Sequence, residues 1–204
     1  MRHNPYEIVR MFEETVADYT GAPYAVSTDN CTDALLICCE YLNVKETTIP
    51  SKTYLSVPQS IMHAGGTVKF RDYLWNGVYQ LEPYPIWDAA KRLTSDMYIP
   101  GSFMCLSFHI KKHLKIGKGG MILTDNKDAV EWLKKARYEG RGVVGYHEDN
   151  IQINGYNAYM SPEMAARGLM LMQNYPKHVP DLSEEPCYKD LRGFDLFKNI
   201  EVVK

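Results

Sequence analysis

A serine, a pair of lysines and a glycine turn fall close together in Ser107-Phe108-His109-Ile110-Lys111-Lys112-His113-Leu114 and Gly117-Lys118-Gly119-Gly120. A hydroxyl, a lysine five residues on and a tight glycine turn can set an amine and a phosphate donor on one ledge. A covalently held phosphorylated cofactor would need both. Taken alone, the same stretch also fits a solvated basic loop or a phosphate-binding strip.

Four other places carry polar residues at candidate strand ends. Asp88 closes an apolar run and precedes Ala89-Ala90, small residues that let a flat ring approach the backbone. Its carboxylate would either hold a protonated ring nitrogen or cap a helix, a position that Asp favours. Asp29-Asn30-Cys31-Thr32-Asp33 leads into a helix, where free amides and the helix dipole attract an anion; capping by Thr32 or Asp33 needs no ligand. Tyr54 follows Pro50-Ser51-Lys52-Thr53 and would either cover a ring or pack half-buried. Asn157 follows Gly155-Tyr156 and fits a ligand contact or plain turn chemistry.

The elements that must position these residues alternate. Glu7 to Tyr19 puts Ile8, Met11, Phe12, Thr15, Val16 and Tyr19 on one helical face, with Gly21 where a helix would stop. Tyr24 to Ser27 reads as a strand and Ala34 to Tyr41 as a helix; Thr47 to Pro50, Val57 to His63 and Thr67 to Phe70 repeat the order. Tyr84 to Asp88, Met104 to Phe108 and Gly120 to Thr124 add strands, and Asp128 to Tyr138 an amphipathic helix. This alternation predicts an α/β protein whose ligand lies where strand ends lead into helices. After Gln173 the pattern fades into Tyr175-Pro176, Val179-Pro180 and Glu185-Pro186, so residues 1–173 are expected to form one domain and 174–204 a loosely structured tail or docking arm.

The chain has 204 residues, 45% hydrophobic and 24% charged, with a net charge of -2 and a pI near 6.3. That balance suits a globule with a real core and argues against a bulk nucleic-acid binder, whose basic excess would dominate. Cys31, Cys38, Cys39, Cys105 and Cys187 are odd in number and lack CxxC spacing, so no zinc site is expected and the thiols read as reduced. The opening residues show no secretory pattern, and no run of eighteen apolar residues occurs. A soluble, cytoplasmic protein without membrane or nucleic-acid partners is the expectation.

In this order and at this spacing, the landmarks resemble the DegT/StrS-type sugar aminotransferases of the fold type I pyridoxal-phosphate enzymes. They are FEETVADYTGAPYAV, Asn30-Cys31-Thr32-Asp33-Ala34-Leu35, Asp88-Ala89-Ala90, Ser107-Phe108-His109-x-x-Lys112, Gly119-Gly120 and Gly155-Tyr156-Asn157, and the resemblance runs from about Phe12 to Gln173. It implies the large domain of that fold, a mostly parallel central sheet flanked by helices. It also implies pyridoxal 5'-phosphate held by Lys112 as an internal aldimine, with Asp88 on the pyridinium nitrogen so that the ring acts as an electron sink. Thr32, Asp33 and Ser107 would bind the phosphate and Tyr54 would stack on the ring. Asn157 would reach the cofactor phosphate of a neighbouring subunit, in a homodimer with shared sites. Lys91 stands where the family has glutamine or histidine near the ring hydroxyl, and Cys31 where it has glycine.

The activity so implied moves an amino group from an amino acid such as glutamate to a keto sugar, nucleotide-linked in this family. Relatives that dehydrate sugars carry histidine at the lysine position, so Lys112 favours amino transfer. By the resemblance, the chain is expected to be a shortened form without most of the family's C-terminal small domain, and this leaves a second reading: a cofactor-binding module without turnover, serving binding or regulation. Gly140 to Gly145 matches GxGxxG literally but follows a helix, and Gly117 to Gly120 lacks the rest of a phosphate loop, so neither is read as a nucleotide site.

Overall fold

A computed structural model describes residues 4, 6–142, 144–183 and 188–203; Cys187 and the central Val143 of the GxGxxG stretch lie outside the described residues, as do Glu185 and Pro186. The elements, in chain order, are α1 (Glu7–Thr20), β1 (Tyr24–Thr28), α2 (Cys31–Tyr41), β2 (Glu46–Pro50), α3 (Ser56–His63), β3 (Thr67–Arg71), β4 (Tyr79–Gln80) and β5 (Ile86–Asp88). Then come β6 (Phe103–Ser107), β7 (Gly120–Thr124), α4 (Lys127–Ala136), α5 (Pro162–Met172), a 3-10 turn (Leu191–Gly193) and β8 (Val202–Val203).

Local chemistry accounts for the element ends. Gly21 takes a left-handed φ of 76° and its N–H returns to Ala17, which stops α1 where the sequence says it should. Asn30, not Thr32 or Asp33, caps α2, accepting the Asp33 N–H at 2.9 Å. Asn126 and Ser161 cap α4 and α5 in the same way, and Pro162 follows Ser161 at the first helical position. That Ser-Pro pair is a start signal for α5 which the expected elements did not include.

The main sheet has the order β1-β7-β6-β5-β4, and a second sheet has the order β2-β3-β8. The α/β class is as expected, with mixed pairing in the main sheet. β7 lies between β1 and β6 and runs against both, β4 runs against β5, and β5–β6, β2–β3 and β3–β8 are parallel. Strand side chains alternate between two faces. Val26, Phe103, Cys105 and Ile122 pack with Ala34, Leu35, Cys38 and Leu133 from α2 and α4. Ala25, Met104, Leu106 and Leu123 pack with Phe12 and Val16 of α1 and Ala165 of α5. The site therefore rests on a sheet covered by helices on both sides.

One buried ion pair ties three of these elements together. Glu13 of α1 meets Arg137, just past α4, with side chains only 6% and 14% exposed. Ser27 of β1 sits between them: its N–H and hydroxyl donate to Glu13 Oε1 at 2.9 and 2.8 Å, and its carbonyl accepts from Arg137 Nη1 at 2.6 Å. Removing one partner strands a desolvated charge. Arg137→Met is expected to lower unfolding free energy by about 3 kcal/mol, read by urea denaturation, and Glu13→Gln with Arg137→Met together should cost less than Arg137→Met alone.

Candidate active site

Lys112, Lys91 and Asp88 converge beyond the ends of β5 and β6, as their places in the sequence require. The loop after β6 turns tightly: the Lys112 N–H donates to the His109 carbonyl at 2.8 Å, and the Phe108 N–H to Gly119 O at 2.9 Å. Leu114 and Ile116 anchor the loop in the core. This packing sorts the basic residues, because Lys111, Lys115 and Lys118 are exposed while Lys112 is half-buried. A solvated basic loop would treat all four alike.

Asp88 ends β5, is 5% exposed and caps no helix. Its Oδ1 accepts the Ala90 N–H at 2.9 Å and its Oδ2 accepts the Tyr79 hydroxyl at 2.9 Å. Tyr79 is the cross-strand partner of Asp88 in the β4–β5 pairing, and its hydroxyl also meets Thr53 Oγ1 at 2.6 Å. Burial pushes the Asp88 carboxyl up; the Ala90 and Tyr79 hydrogen bonds and the charges of Lys112 and Lys91 oppose this. Burial pushes the Lys112 amine down from the ordinary lysine value, the Asp88 charge and then Cys31 pull it back up, and Lys91 lowers it further. An amine whose proton affinity is lowered by burial, beside a carboxylate, is suited to nucleophilic attack and proton transfer.

Lys91 is 7% exposed, and its ammonium lies 5.2 Å from the centroid of Trp75 and 4.7 Å from that of Tyr188. Two aromatic faces solvate a buried cation. Tyr54, 53% exposed, stands 6.2 Å from the Tyr188 ring, and Tyr188 Oη is 3.5 Å from Lys112 Nζ.

The N-terminus of α2 borders the same region. Asp33 spends both its amide and its carboxylate on Asn30, the latter at 2.6 Å from Asn30 Nδ2; the first-turn amides of a helix have no partner within the helix. Burial raises the Asp33 carboxyl, against the pull of Asn30. Thr32 Oγ1 donates to Ser56 Oγ at 2.9 Å, which joins the starts of α2 and α3. Gly120 makes this close approach possible, since a Cβ there would lie 2.4 Å from the Asn30 carbonyl carbon. Cys31 turns its thiol toward the Cys105 carbonyl at 3.6 Å, into the protein; burial, then the Asp88 charge, drive that thiol well up. Ser107 pairs with Gly120 across β6 and β7, which puts it on the ledge opposite Asn30 and Cys31.

Asn157 is exposed and donates to Glu139 Oε1 at 3.2 Å. The neighbouring Ala158 carbonyl accepts the Asp29 N–H at 2.7 Å, placing this turn beside the approach to α2. Tyr79, Trp75, Ser56 and Tyr188 escaped sequence reading. Tyr79 would have required the β4–β5 register, and Tyr188 a contact across 76 residues. Among the described residues, no group of His, Cys, Asp and Glu could hold a metal ion, and no helix is long and apolar enough to cross a membrane.

The chain matches the DegT/DnrJ/EryC1/StrS aminotransferase family over residues 2–95 and 99–181, and it belongs to that family. It is similar to GDP-perosamine synthase of Caulobacter vibrioides, with 23% identity over 213 residues that cover 82% of this chain and 57% of that protein. The sugar aminotransferase CalS13 of Micromonospora echinospora superposes with a TM-score of 0.72 at 15% identity, covering 85% of this chain and 61% of that one. NtdA of Bacillus subtilis, solved with bound cofactor PMP, gives 0.66 at 19% identity over 81% and 47%. These likenesses show the fold to be that of fold type I aminotransferases. The chain spans between 47% and 61% of the length of these relatives.

The opposed charges give a direct test in the protein alone. The pH midpoint for carbamylation of Lys112 by cyanate, followed by peptide mass spectrometry, should lie below that of an ordinary lysine. Asp88→Asn should move it lower still, because loss of the carboxylate removes the charge that favours the ammonium. An upward move would mean that Asp88 does not face Lys112.

Proposed function

We propose that the chain binds pyridoxal 5'-phosphate and transfers an amino group from an amino acid, such as glutamate, to a nucleotide-linked keto sugar. One observation carries the reading: a half-buried lysine with a depressed proton affinity shares a site with a buried carboxylate. The family membership and the relatives' names support it.

The residues fit the cofactor. Lys112 supplies the amine, and Asp88, already oriented by Tyr79 and Ala90, would pair with the ring nitrogen. The amides at the start of α2, with Thr32 and Ser107, would take the phosphate, and Asp33 would serve by fixing Asn30. Tyr54 would cover the ring face, and Lys91 would place its cation beside the ring hydroxyl. Bound there, the cofactor supplies an electron sink for α-carbon chemistry. Lys112 would take up and return a proton at its Nζ, a task that its lowered proton affinity suits. Asn157 would reach across to the phosphate site of a second subunit in a cytoplasmic homodimer, which accords with its exposure.

Mixing the purified protein with pyridoxal phosphate should produce the visible absorption band of an amine-linked cofactor. Lys112→Ala should abolish it, and an amino donor should bleach the wild-type band. A band that no donor bleaches would favour the non-catalytic binding module. Asn157→Ala is expected to weaken cofactor retention several-fold in the dimer without changing the band; a monomer that retains cofactor fully would refute the cross-subunit contact.

A further inference from the structure

The described residues after Gln173 pack across the site rather than away from it. On one side, Arg92 binds Asp181 through two hydrogen bonds of 2.7 and 2.6 Å, and the Leu182 N–H donates to the Lys91 carbonyl at 3.0 Å. His113 meets the Pro180 carbonyl at 2.9 Å, so the residue next to Lys112 is itself a tail anchor. On the other side, the Leu191 N–H donates to Ser51 O at 2.9 Å, Leu191 and Phe197 are buried in the core, Arg192 reaches Asp72 at 3.1 Å, and β8 extends the β2–β3 sheet. Both sets of anchors are neighbours of the site residues Lys91, Lys112 and Tyr54.

Tyr188 lies between these anchors and beyond the residues matched to the family. Its ring stacks on Trp75 at 6.1 Å with planes 16° apart, and Trp75 is fixed by its Nε1 donating to the Lys52 carbonyl at 3.0 Å. The ring also covers the Lys91 ammonium and borders Tyr54, while the hydroxyl comes to 3.5 Å from Lys112 Nζ. Trp75 and Lys91 give the ring its own seat, separate from Asp88, Thr32 and Ser107. Only the hydroxyl extends to the reacting amine.

We propose that Tyr188 is a positioning residue contributed by the chain's own C-terminal segment, one whose ring walls the site beside Lys112 and holds Lys91 in place. The inference rests on the cofactor reading. The wall also fits the desolvation that lowers the Lys112 proton affinity. Removing the ring should let water reach both ammonium groups, whereas removing the hydroxyl alone should leave the cage standing.

The test compares wild type with Tyr188→Ala and Tyr188→Phe by two measurements. Without cofactor, the pH midpoint for cyanate labelling of Lys112 should rise toward the ordinary lysine value in Tyr188→Ala and stay low in Tyr188→Phe. With pyridoxal phosphate titrated in and followed by its absorption band, the dissociation constant should rise about tenfold in Tyr188→Ala and stay within about twofold of wild type in Tyr188→Phe. An unchanged midpoint in Tyr188→Ala overturns the contact. Tighter cofactor binding in Tyr188→Ala also overturns the proposal, since the ring would then occupy cofactor space. A band missing from wild type overturns the cofactor reading and this inference together, and is distinguishable because it appears before any substitution.

Discussion

Holding the Asp88 carboxyl inside the protein is the constraint around which this site is built. A carboxylate that is 5% exposed loses most of its hydration, and burial alone favours its protonation. Four groups from three separate parts of the chain oppose that. β4 brings the Tyr79 hydroxyl, the turn after β5 brings the Ala90 amide, the loop between β6 and β7 brings Lys112, and the same turn brings Lys91. The two cations, Lys91 buried and Lys112 half-buried, need support of their own, which comes from Asp88 for Lys112 and from Trp75 and Tyr188 for Lys91. The carboxylate and the cations favour each other's charged forms, while the two cations oppose each other.

That mutual dependence explains the division of labour in the fold. The core faces of the sheet, filled by Phe12, Val16 and Met104 on one side and Leu35, Cys38 and Ile122 on the other, make the strand ends rigid. The polar residues then project from those ends, where loops leave the sheet. The Glu13–Ser27–Arg137 group uses the same principle far from the site: opposite charges are buried together with a hydroxyl that satisfies their remaining hydrogen-bonding capacity. There it joins α1, β1 and the end of α4, and so fixes the strand that leads to the α2 anion site.

The sequence disclosed those features that depend on local spacing. The alternation of elements, the Gly21 stop and the turn before α2 follow from patterns within a few residues, whereas Lys112 is distinguished from Lys111 by the family resemblance, and the structure separates the two lysines by burial. Features that depend on register were less accessible. The cap of α2 went to Asn30 because the local turn lets its side chain reach the Asp33 amide, a choice that composition alone does not make among four polar residues. β4 has only two residues, yet its pairing decides that Tyr79 faces Asp88. The mixed direction of the main sheet likewise follows from β7 folding back on β6, which no periodicity records.

The tail is the extreme case. Its composition, broken by prolines, carries almost no secondary-structure signal, and its anchors are scattered contacts to Arg92, Ser51, Asp72 and β3. Yet irregular backbone is well suited to closing a site, because a helix or strand would present a repeating surface where only one aromatic ring is needed. Tyr188 places that ring over a cation that otherwise has one aromatic face, Trp75, and a long contact to the Ser183 carbonyl at 3.5 Å. Lys91 replaces a neutral residue of the family pattern with a full charge, and a full charge in a buried site requires a second face to shield it. The departure at Lys91 and the aromatic residue carried by the tail are therefore two halves of one physical solution.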